Sequence, residues 1–193
     1  MNDFIAIDFE TATESPESAI SIGLVRFRNY RPISSYYSLI RPPKLYIRKD
    51  FTKIHGLTVD DIKDASDFKH LWESEIEAFI GTTMLAAHYA PFDMGVLGAT
   101  LAWHELPVPP LPYFCTCKLA RKTWQGLHSY ALTALANHFS IEYDAHNALD
   151  DAMTCGKLVQ MSAEQFKTQE NVEVLLKTAG VKIKNLGAMK EKK

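Results

Sequence analysis

Apolar residues in the first forty positions form runs that are typical of β-strands. The runs are Phe4 to Phe9, Ala19 to Phe27 and Ile33 to Ile40, the last two partly alternating with polar residues. Because short connections join them, the pattern predicts an antiparallel meander, which the pair Pro42-Pro43 ends. The segment from Leu45 to Thr58 has little periodicity, which indicates a loop or short helical turns.

Beyond residue 60 the pattern changes to alternating helices and strands. In chain order it predicts an amphipathic helix through Leu71, Ile76, Phe79 and Ile80 with Ser66 as N-cap, a buried strand from Met84 to Ala87, a helix from about Phe92 to His104, a strand near Tyr113 to Thr116, and helices near Lys118, Tyr130 and Leu149. Together the segments predict an α/β fold, a mixed five-stranded sheet flanked by helices.

Length and composition fit a single well-cored domain. The chain has 193 residues, of which 47% are hydrophobic and 23% charged, proportions that are usual for globular domains. We expect a catalytic domain over residues 1–163 and a short C-terminal tail over residues 164–193. The final 17 residues contain six lysines and one glutamate. Such a tail is either a solvated chain end or a contact for phosphates or a partner.

Several protein classes are disfavoured by the sequence. No apolar run approaches the roughly 18 residues of a membrane span, and Asp3, Asp8 and Glu10 are unlike a signal peptide, so we expect a cytoplasmic protein without membrane contact. Three cysteines do not suggest a disulfide framework. The net charge of −2 gives no hint of a nucleic-acid partner, so the functional case depends on motifs.

Two acids close the first apolar run. Asp8 and Glu10 are two positions apart on a predicted strand, so both side chains leave the same face. Burying two neighbouring carboxylates is costly unless cations compensate for the charge. Solvent-exposed acids at a strand end are the alternative interpretation of this pair.

Further candidates lie at the starts of two predicted helices. Asp93 follows the strand that ends at Ala87, where helix capping is an alternative role. If the segment after His146 is helical, Asn147 and Asp151 share one face. Carboxylates in this number suit Mg²⁺ or Mn²⁺, and two such ions can stabilise the entering and leaving oxygens of a phosphoryl displacement. Histidine is a suitable proton acceptor.

Three motifs resemble those of the DnaQ-like DEDDh exonuclease family. They are D-F-E-T from Asp8, H-Y-A-P-F-D from His88 and H-N-A-L-D-D from His146, and their order and spacing match over about residues 3–160. The resemblance implies a ribonuclease H-like fold and release of nucleoside 5′-monophosphates from a 3′ end. It also implies two Mg²⁺ or Mn²⁺ ions held by Asp8, Glu10, Asp93 and Asp151, with His146 as general base.

The spacing in the last motif distinguishes two branches of this family. In the histidine branch the base stands five residues before the final aspartate, as His146 does before Asp151. The tyrosine branch would have Tyr where this chain has Asn147. Asp150 is then the neighbouring acid that is not a ligand, although a shift of the motif by one residue would exchange the two.

The same resemblance suggests contacts with the substrate. The segment Ile54 to Thr58 looks like the family's substrate loop, in which Leu57 would pack on the terminal base and His55 would assist. Thr11 matches a residue beside the 3′ nucleotide. For Phe92 a core position is the alternative to contact with a base.

Departures from the family pattern affect the choice of substrate more than the chemistry. Ala12-Thr13 follow Thr11, Tyr89 stands where Asn is common, and Cys115 replaces an acid. We expect a DNA exonuclease that prefers single strands, with RNA processing as the alternative. A DNA polymerase subunit is the candidate protein partner, and an inactive assembly module is the alternative from a different class.

Overall fold

The computed structural model describes residues 3–168 and 170–188, and its centre is a mixed six-stranded sheet in the order β3-β2-β1-β4-β5-β6. The strands are β1 (Asp3–Thr11), β2 (Ala19–Arg28), β3 (Arg31–Leu39), β4 (Met84–Ala87), β5 (Pro112–Cys115) and β6 (Lys184–Asn185). The first three form the predicted antiparallel meander. β4 and β5 run parallel to β1, and β6 pairs antiparallel with β5.

The central strands of the sheet are buried on both faces. Along β1 the side chains of Ile5, Ile7 and Phe9 enter one hydrophobic core, whereas Phe4 and Ala6 enter a second core on the opposite face. Alternate residues of a strand point to opposite faces, so an almost continuous apolar run is what a strand covered on both sides requires.

Helices cover the two faces. In the described residues they are α1 (Lys49–His55), α2 (Val59–Ile62), α3 (Phe68–Leu71), a π-helical turn (Trp72–Ile76), α4 (Glu77–Ile80), α5 (Pro91–Trp103), α6 (Thr116–Thr123), α7 (Leu132–His138), α8 (Ala148–Gln165), α9 (Val172–Ala179) and a 3₁₀ turn (Leu186–Ala188). Within residues 3–168 and 170–188, no helix combines the length and the apolar character needed to cross a membrane.

Two glycines allow α8 to approach the sheet closely. A Cβ atom at Gly23 would lie 2.1 Å from the carbonyl oxygen of Ala148, and one at Gly156 would lie 2.0 Å from the ring of Phe27. Gly23 is also the β2 partner of Asp8 in the strand register. The missing side chain therefore lets the first turn of α8 lie against the sheet next to Asp8.

The structure corrects several details of the prediction. The sheet has six strands, not five, because Lys184–Asn185 pairs with the edge of β5. The helix expected to start at Ser66 is capped by Asp67, whose carboxylate accepts the backbone NH of His70 at 2.9 Å. Tyr130 lies in a loop before α7. The segment from Leu45 to Thr58, predicted as a loop or short helical turns, contains the short helix α1.

The chain predicted as a tail is largely packed against the domain. α8 continues past position 163 to Gln165, and α9 buries Val172, Leu175 and Leu176 in the same core as Phe4. The described residues therefore show no structural break at the predicted boundary. The lysines of the last five positions lie outside the described residues.

We expect the variant Gly156→Ala to be destabilised by about 1–3 kcal/mol, because its new methyl group has to displace the buried ring of Phe27. Urea denaturation measures the free energy of unfolding. Gly98→Ala in α5 is the matched control, since its Cβ would find its nearest neighbour at 3.9 Å, and it should equal or exceed the original chain in stability. Equal stability of Gly156→Ala and the original chain would contradict the close approach.

Candidate active site

The candidate site lies at the carboxyl ends of the parallel strands β1 and β4. β4 pairs with β1 only from Phe4 to Ala6, whereas β1 continues to Thr11. The second half of β1, from Ile7 to Thr11, therefore has an edge that β4 does not cover. Clefts beyond the carboxyl ends of strands are the usual place for sites in open α/β sheets.

Asp8 and Glu10 occupy this uncovered end. They continue the row of Phe4 and Ala6 on the face that α8 covers, while Phe9 between them is buried on the other face. Both acids are partly buried. The β1–β2 register shifts between Glu10 and Thr11, so the strand is irregular directly after the second acid. The predicted common face of the two acids is the observed arrangement.

Asp93 is brought to the same place by the start of α5. Pro91 is the first residue of this helix, where proline is favoured, and Asp93 in the first turn is only 1% exposed. Neither carboxylate oxygen has a hydrogen-bond partner in the described residues. Backbone NH groups of Asp93 and Phe9 lie near enough to lower its pKa, but they form no hydrogen bond with it. A buried carboxylate without a partner is a group that a cation would stabilise.

Asp151 is held in the first turn of α8. Asn147 caps the helix by accepting the backbone NH groups of Leu149 at 3.1 Å and Asp150 at 3.4 Å. Asp151 is 8% exposed, and its Oδ2 accepts the backbone NH of His146 at 3.2 Å. The neighbouring Asp150 instead accepts the NH of Asp144 at 3.1 Å. The two adjacent acids thus face different surroundings.

His146 has an exposed side chain on a constrained backbone. Its φ of 66° lies in the left-handed region, which costs a residue other than glycine on the order of 1–3 kcal/mol and is concentrated at functional sites. The hydrogen bond from its NH to Asp151 stabilises this conformation. Glu10, His146 and Asp151 each offer one possible ligand atom within 4.8 Å of the other two.

The charges of the four acids oppose one another. Burial first, then repulsion from Asp93, Asp151 and Glu10, raises the pKa of Asp8 well above its usual value. Burial and then Asp151 raise the pKa of Glu10 to about 8. Burial is also the main cause that raises the pKa of Asp93, and it raises the pKa of Asp151 to about 7 against the opposing hydrogen bond from His146. Without cations, the cluster favours its protonated form.

The donor atoms fit divalent metal ions, which the family uses. Four carboxylates and one imidazole form a mostly oxygen set of the kind that hard cations such as Mg²⁺ and Mn²⁺ accept. The unpartnered carboxylate oxygens of Asp93 and the raised pKa of Glu10 both favour a role for this site in binding cations.

The residues predicted to contact substrate lie around this cluster. His55 is close enough to Thr11 and His146 for both to affect its pKa, which burial lowers, and its Nδ1 accepts the NH of Leu57 at 3.0 Å. Thr11 is buried, and Leu57 is half-buried. Phe92 is 45% exposed at the start of α5, so the structure does not place it in the core.

Tyr143 is a residue of the site that the sequence analysis missed. Its hydroxyl group has no hydrogen-bond partner in the described residues. Burial first, then the charges of Asp151 and Asp8, raise its pKa to about 12, so the ring lies beside the acids. The only sequence signal is its position three residues before His146, which does not distinguish it from other loop aromatics.

Comparison with known proteins assigns this fold and site to a family. A family model described as Exonuclease matches residues 5–159. The chain belongs to this exonuclease family. It is 33% identical to the DNA polymerase III subunit epsilon of Treponema pallidum over 160 residues, which cover 80% of this chain and 74% of that protein. It is 27% identical to the PolC-type DNA polymerase III of Lactococcus lactis over 172 residues, 86% of this chain but 10% of that polymerase.

Solved structures show the same fold. Exonuclease X in complex with 5′ overhanging duplex DNA superposes with a TM-score of 0.72 at 23% identity, covering 92% of this chain and 99% of that one. The nuclease domain of 3′hExo, a DEDDh family member bound to rAMP, gives 0.72 at 18% identity over 95% and 96% of the two chains. The predicted DnaQ-like DEDDh relationship and ribonuclease H-like α/β fold are confirmed, and the predicted enzyme class is that of the family.

The raised pKa values predict that the metal-free protein loses stability as pH rises. A carboxyl whose pKa is higher in the folded than in the unfolded chain stabilises the fold below pH 4, and this contribution is lost as pH rises towards the folded values of about 7 and about 8. We expect Tm in EDTA to fall by several degrees between pH 5 and 8.5, because each kcal/mol lost from the free energy of unfolding lowers Tm by about 2–4 °C.

Mn²⁺ should remove most of this fall, because it binds the ionised carboxylates. The variant Asp151→Asn has one charge fewer and should show a smaller fall in EDTA. Differential scanning fluorimetry measures all three cases. A Tm in EDTA that does not change over this pH range would show that the acids do not repel one another.

Proposed function

We propose that this chain is a metal-dependent 3′→5′ exonuclease that hydrolyses the terminal phosphodiester of DNA and releases nucleoside 5′-monophosphates. The observation that carries the proposal is the convergence of four buried or partly buried carboxylates, Asp8, Glu10, Asp93 and Asp151, beside an exposed histidine. Their raised pKa values indicate a site that is completed by cations.

Each acid has a separate support in the fold. Asp8 and Glu10 are held by β1, Asp93 by the first turn of α5 and Asp151 by the first turn of α8. These four residues would hold two Mg²⁺ or Mn²⁺ ions, which would supply charge stabilisation at the entering and leaving oxygens of the displacement. Ligands on rigid elements keep their spacing as the substrate changes.

His146 is the proposed general base. Its ring is exposed to solvent, and its backbone is tied to Asp151, so the imidazole stands at the edge of the acid cluster. It would accept the proton of the attacking water while the oxygen of that water bonds to phosphorus and the bond from phosphorus to the 3′ oxygen breaks. The proton acceptor in such a step contributes roughly 10²–10⁴-fold to the rate.

Four residues, Thr11, His55, Leu57 and Phe92, are proposed to hold the last two nucleotides of the strand. The hydrogen bond from Leu57 to His55 fixes the loop after α1 next to Thr11, so the half-buried Leu57 can pack on the terminal base. Phe92, exposed beside Asp93, offers an aromatic face to the next base. Stacking of a base on an aromatic side chain contributes about 1–3 kcal/mol.

DNA is the proposed substrate because the named polymerase relatives are DNA polymerase III proteins. RNA is the second candidate, favoured by the likeness to 3′hExo bound to rAMP. Residues 1–163, against which α9 packs, would contain the whole exonuclease site. The epsilon relatives suggest a polymerase subunit as the protein partner. Single strands should be better substrates than blunt duplexes, because a 3′ end has to enter the cleft beside the acids.

A ladder assay with matched variants tests the proposal. The protein is incubated with 5′-labelled single-stranded DNA or RNA of one sequence, or with blunt duplex DNA, in Mg²⁺, Mn²⁺ or EDTA. We expect shortening from the 3′ end that requires metal and is faster on single-stranded DNA. Asp151→Asn should lower the rate roughly 10³-fold, which corresponds to about 4 kcal/mol of the barrier. Asp150→Asn should keep most of the activity, since Asp150 faces Asp144.

Three results would contradict parts of this proposal. Absence of cleavage with either metal would remove the enzymatic function and favour an assembly module. An equal loss of cleavage rate in Asp150→Asn and Asp151→Asn would mean that Asp151 is wrongly assigned as the metal ligand. Faster cleavage of RNA or of blunt duplex DNA would overturn the proposed substrate.

A further inference from the structure

A second concave site lies outside the acid cluster, between β5, α6 and the chain after α9. Its cavity has a volume of about 310 Å³, and its walls include the buried side chains of Tyr113, Phe114 and Val181. Five cationic residues also line it, Lys118, Arg121, Lys122, Lys182 and Lys184. We call this site the basic cavity.

The spacing of these cationic residues along the sequence brings their side chains together. Lys118, Arg121 and Lys122 are at positions i, i+3 and i+4 of α6, so they share one helix face. Gly180 ends α9 in the left-handed conformation and turns the chain back towards the sheet, where Lys182 and Lys184 follow two positions apart. Among the described residues, none of the five forms an ion pair. The local charge is strongly positive in a chain whose net charge is −2.

The basic cavity reaches the start of α5, the helix that carries Asp93. Ala90 and Pro91 line it, and Asp93 follows two residues later in the same helix turn. Arg121 also lines a neighbouring concavity that includes His88 and Tyr89. The guanidinium group of Arg121 is 4.6 Å from the centre of the Tyr130 ring, which restrains it between the two concave sites.

Two exposed aromatic side chains lie in the segment that joins the end of β4 to Asp93. Tyr89 is 65% exposed, with a φ of 66°, and Phe92 is 45% exposed. Aromatic rings on which bases stack, together with cations that follow the backbone, are the combination by which proteins bind single-stranded nucleic acid without reading its sequence.

We propose that the basic cavity binds the single strand upstream of the 3′ end that the active site takes. One nucleotide would place its base or sugar against the apolar walls, with its phosphate at Lys118, Lys122 and the two lysines after α9. Bases closer to the 3′ end would stack on Phe92 and Tyr89. This inference rests on the proposed exonuclease function, because it requires a strand whose 3′ end lies at the acids.

The distribution of the cations and the nearby exposed aromatic rings favour a nucleic-acid strand over a free nucleotide as the ligand of the basic cavity. A free mononucleotide would use the apolar walls and some of the cations, but neither exposed aromatic ring. A strand uses the cavity, Arg121 and both rings together. Its neighbouring phosphates also match cations that are spread over α6 and the segment after α9.

Binding of labelled oligonucleotides tests the inference without hydrolysis. Fluorescence anisotropy in EDTA compares a trinucleotide and a 20-nucleotide single strand, both labelled at the 5′ end. The test variant is Lys118→Glu/Lys122→Glu. The matched control is Lys69→Glu/Lys167→Glu, which changes the charge equally at two exposed positions outside the cavity.

We expect the test variant to bind the 20-nucleotide strand roughly tenfold more weakly than the original chain. Loss of two phosphate contacts should lower the slope of log affinity against log salt by about 1.4, at about 0.7 per contact for a single strand. Binding and metal-dependent cleavage of the trinucleotide should be unchanged in both variants, and the control should bind the long strand normally. Equal Tm values show that the variants are folded.

Unchanged affinity of Lys118→Glu/Lys122→Glu for the long strand would overturn the inference. Displacement of that strand by equimolar deoxynucleoside monophosphate would do so too, since it would indicate a mononucleotide site. The two proposals fail separately. If the original chain cleaves no strand, but Lys118→Glu/Lys122→Glu binds the long strand more weakly, only the exonuclease function is wrong. If the original chain cleaves the strand and the variant binds it with unchanged affinity, only the proposed strand binding at the basic cavity is wrong.

Discussion

The structure around the candidate site depends on one electrostatic constraint, the placement of four carboxylates where water cannot screen them fully. Burial raises the pKa of each acid, and repulsion within the cluster raises it further for Asp8, Glu10 and Asp93. Among the described residues, no cationic side chain forms an ion pair with these four acids. Arg28 and Arg48 form their ion pairs with other acids. Divalent cations would convert this repulsion into attraction, which is why the cluster indicates catalysis and not stability.

Close packing maintains this arrangement against the repulsion. Gly23 and Gly156 let α8 lie directly on β2, and the cap at Asn147 fixes the first turn of that helix. Asp151 therefore faces Asp8 and Glu10 because the whole helix is held in place. The same turn holds His146 in its left-handed conformation through one hydrogen bond, so the packing of this one helix positions both an acid and the proposed base.

The sequence predicted the parts of the site that depend on local spacing. The two-residue spacing of Asp8 and Glu10 predicted their common face, which β1 shows. The choice of Asp151 over Asp150 as the ligand follows from the family resemblance and stays a prediction. Features that depend on distant packing were not predictable. Lys184 and Asn185 are poor strand formers that join the sheet only because β5 has a free edge. The position of Tyr143 and the basic cavity likewise require the folded chain.

Calorimetric titration of the metal-free protein with Mn²⁺ at pH 7 tests the central claim most directly. If cations complete the acid cluster, binding has to release the protons that the raised pKa values retain, at least about one per chain. The measured enthalpy should therefore change between two buffers of different ionisation enthalpy, and Asp93→Asn should weaken binding. Binding without proton release, or no binding by the folded protein, would contradict the account of the four carboxylates.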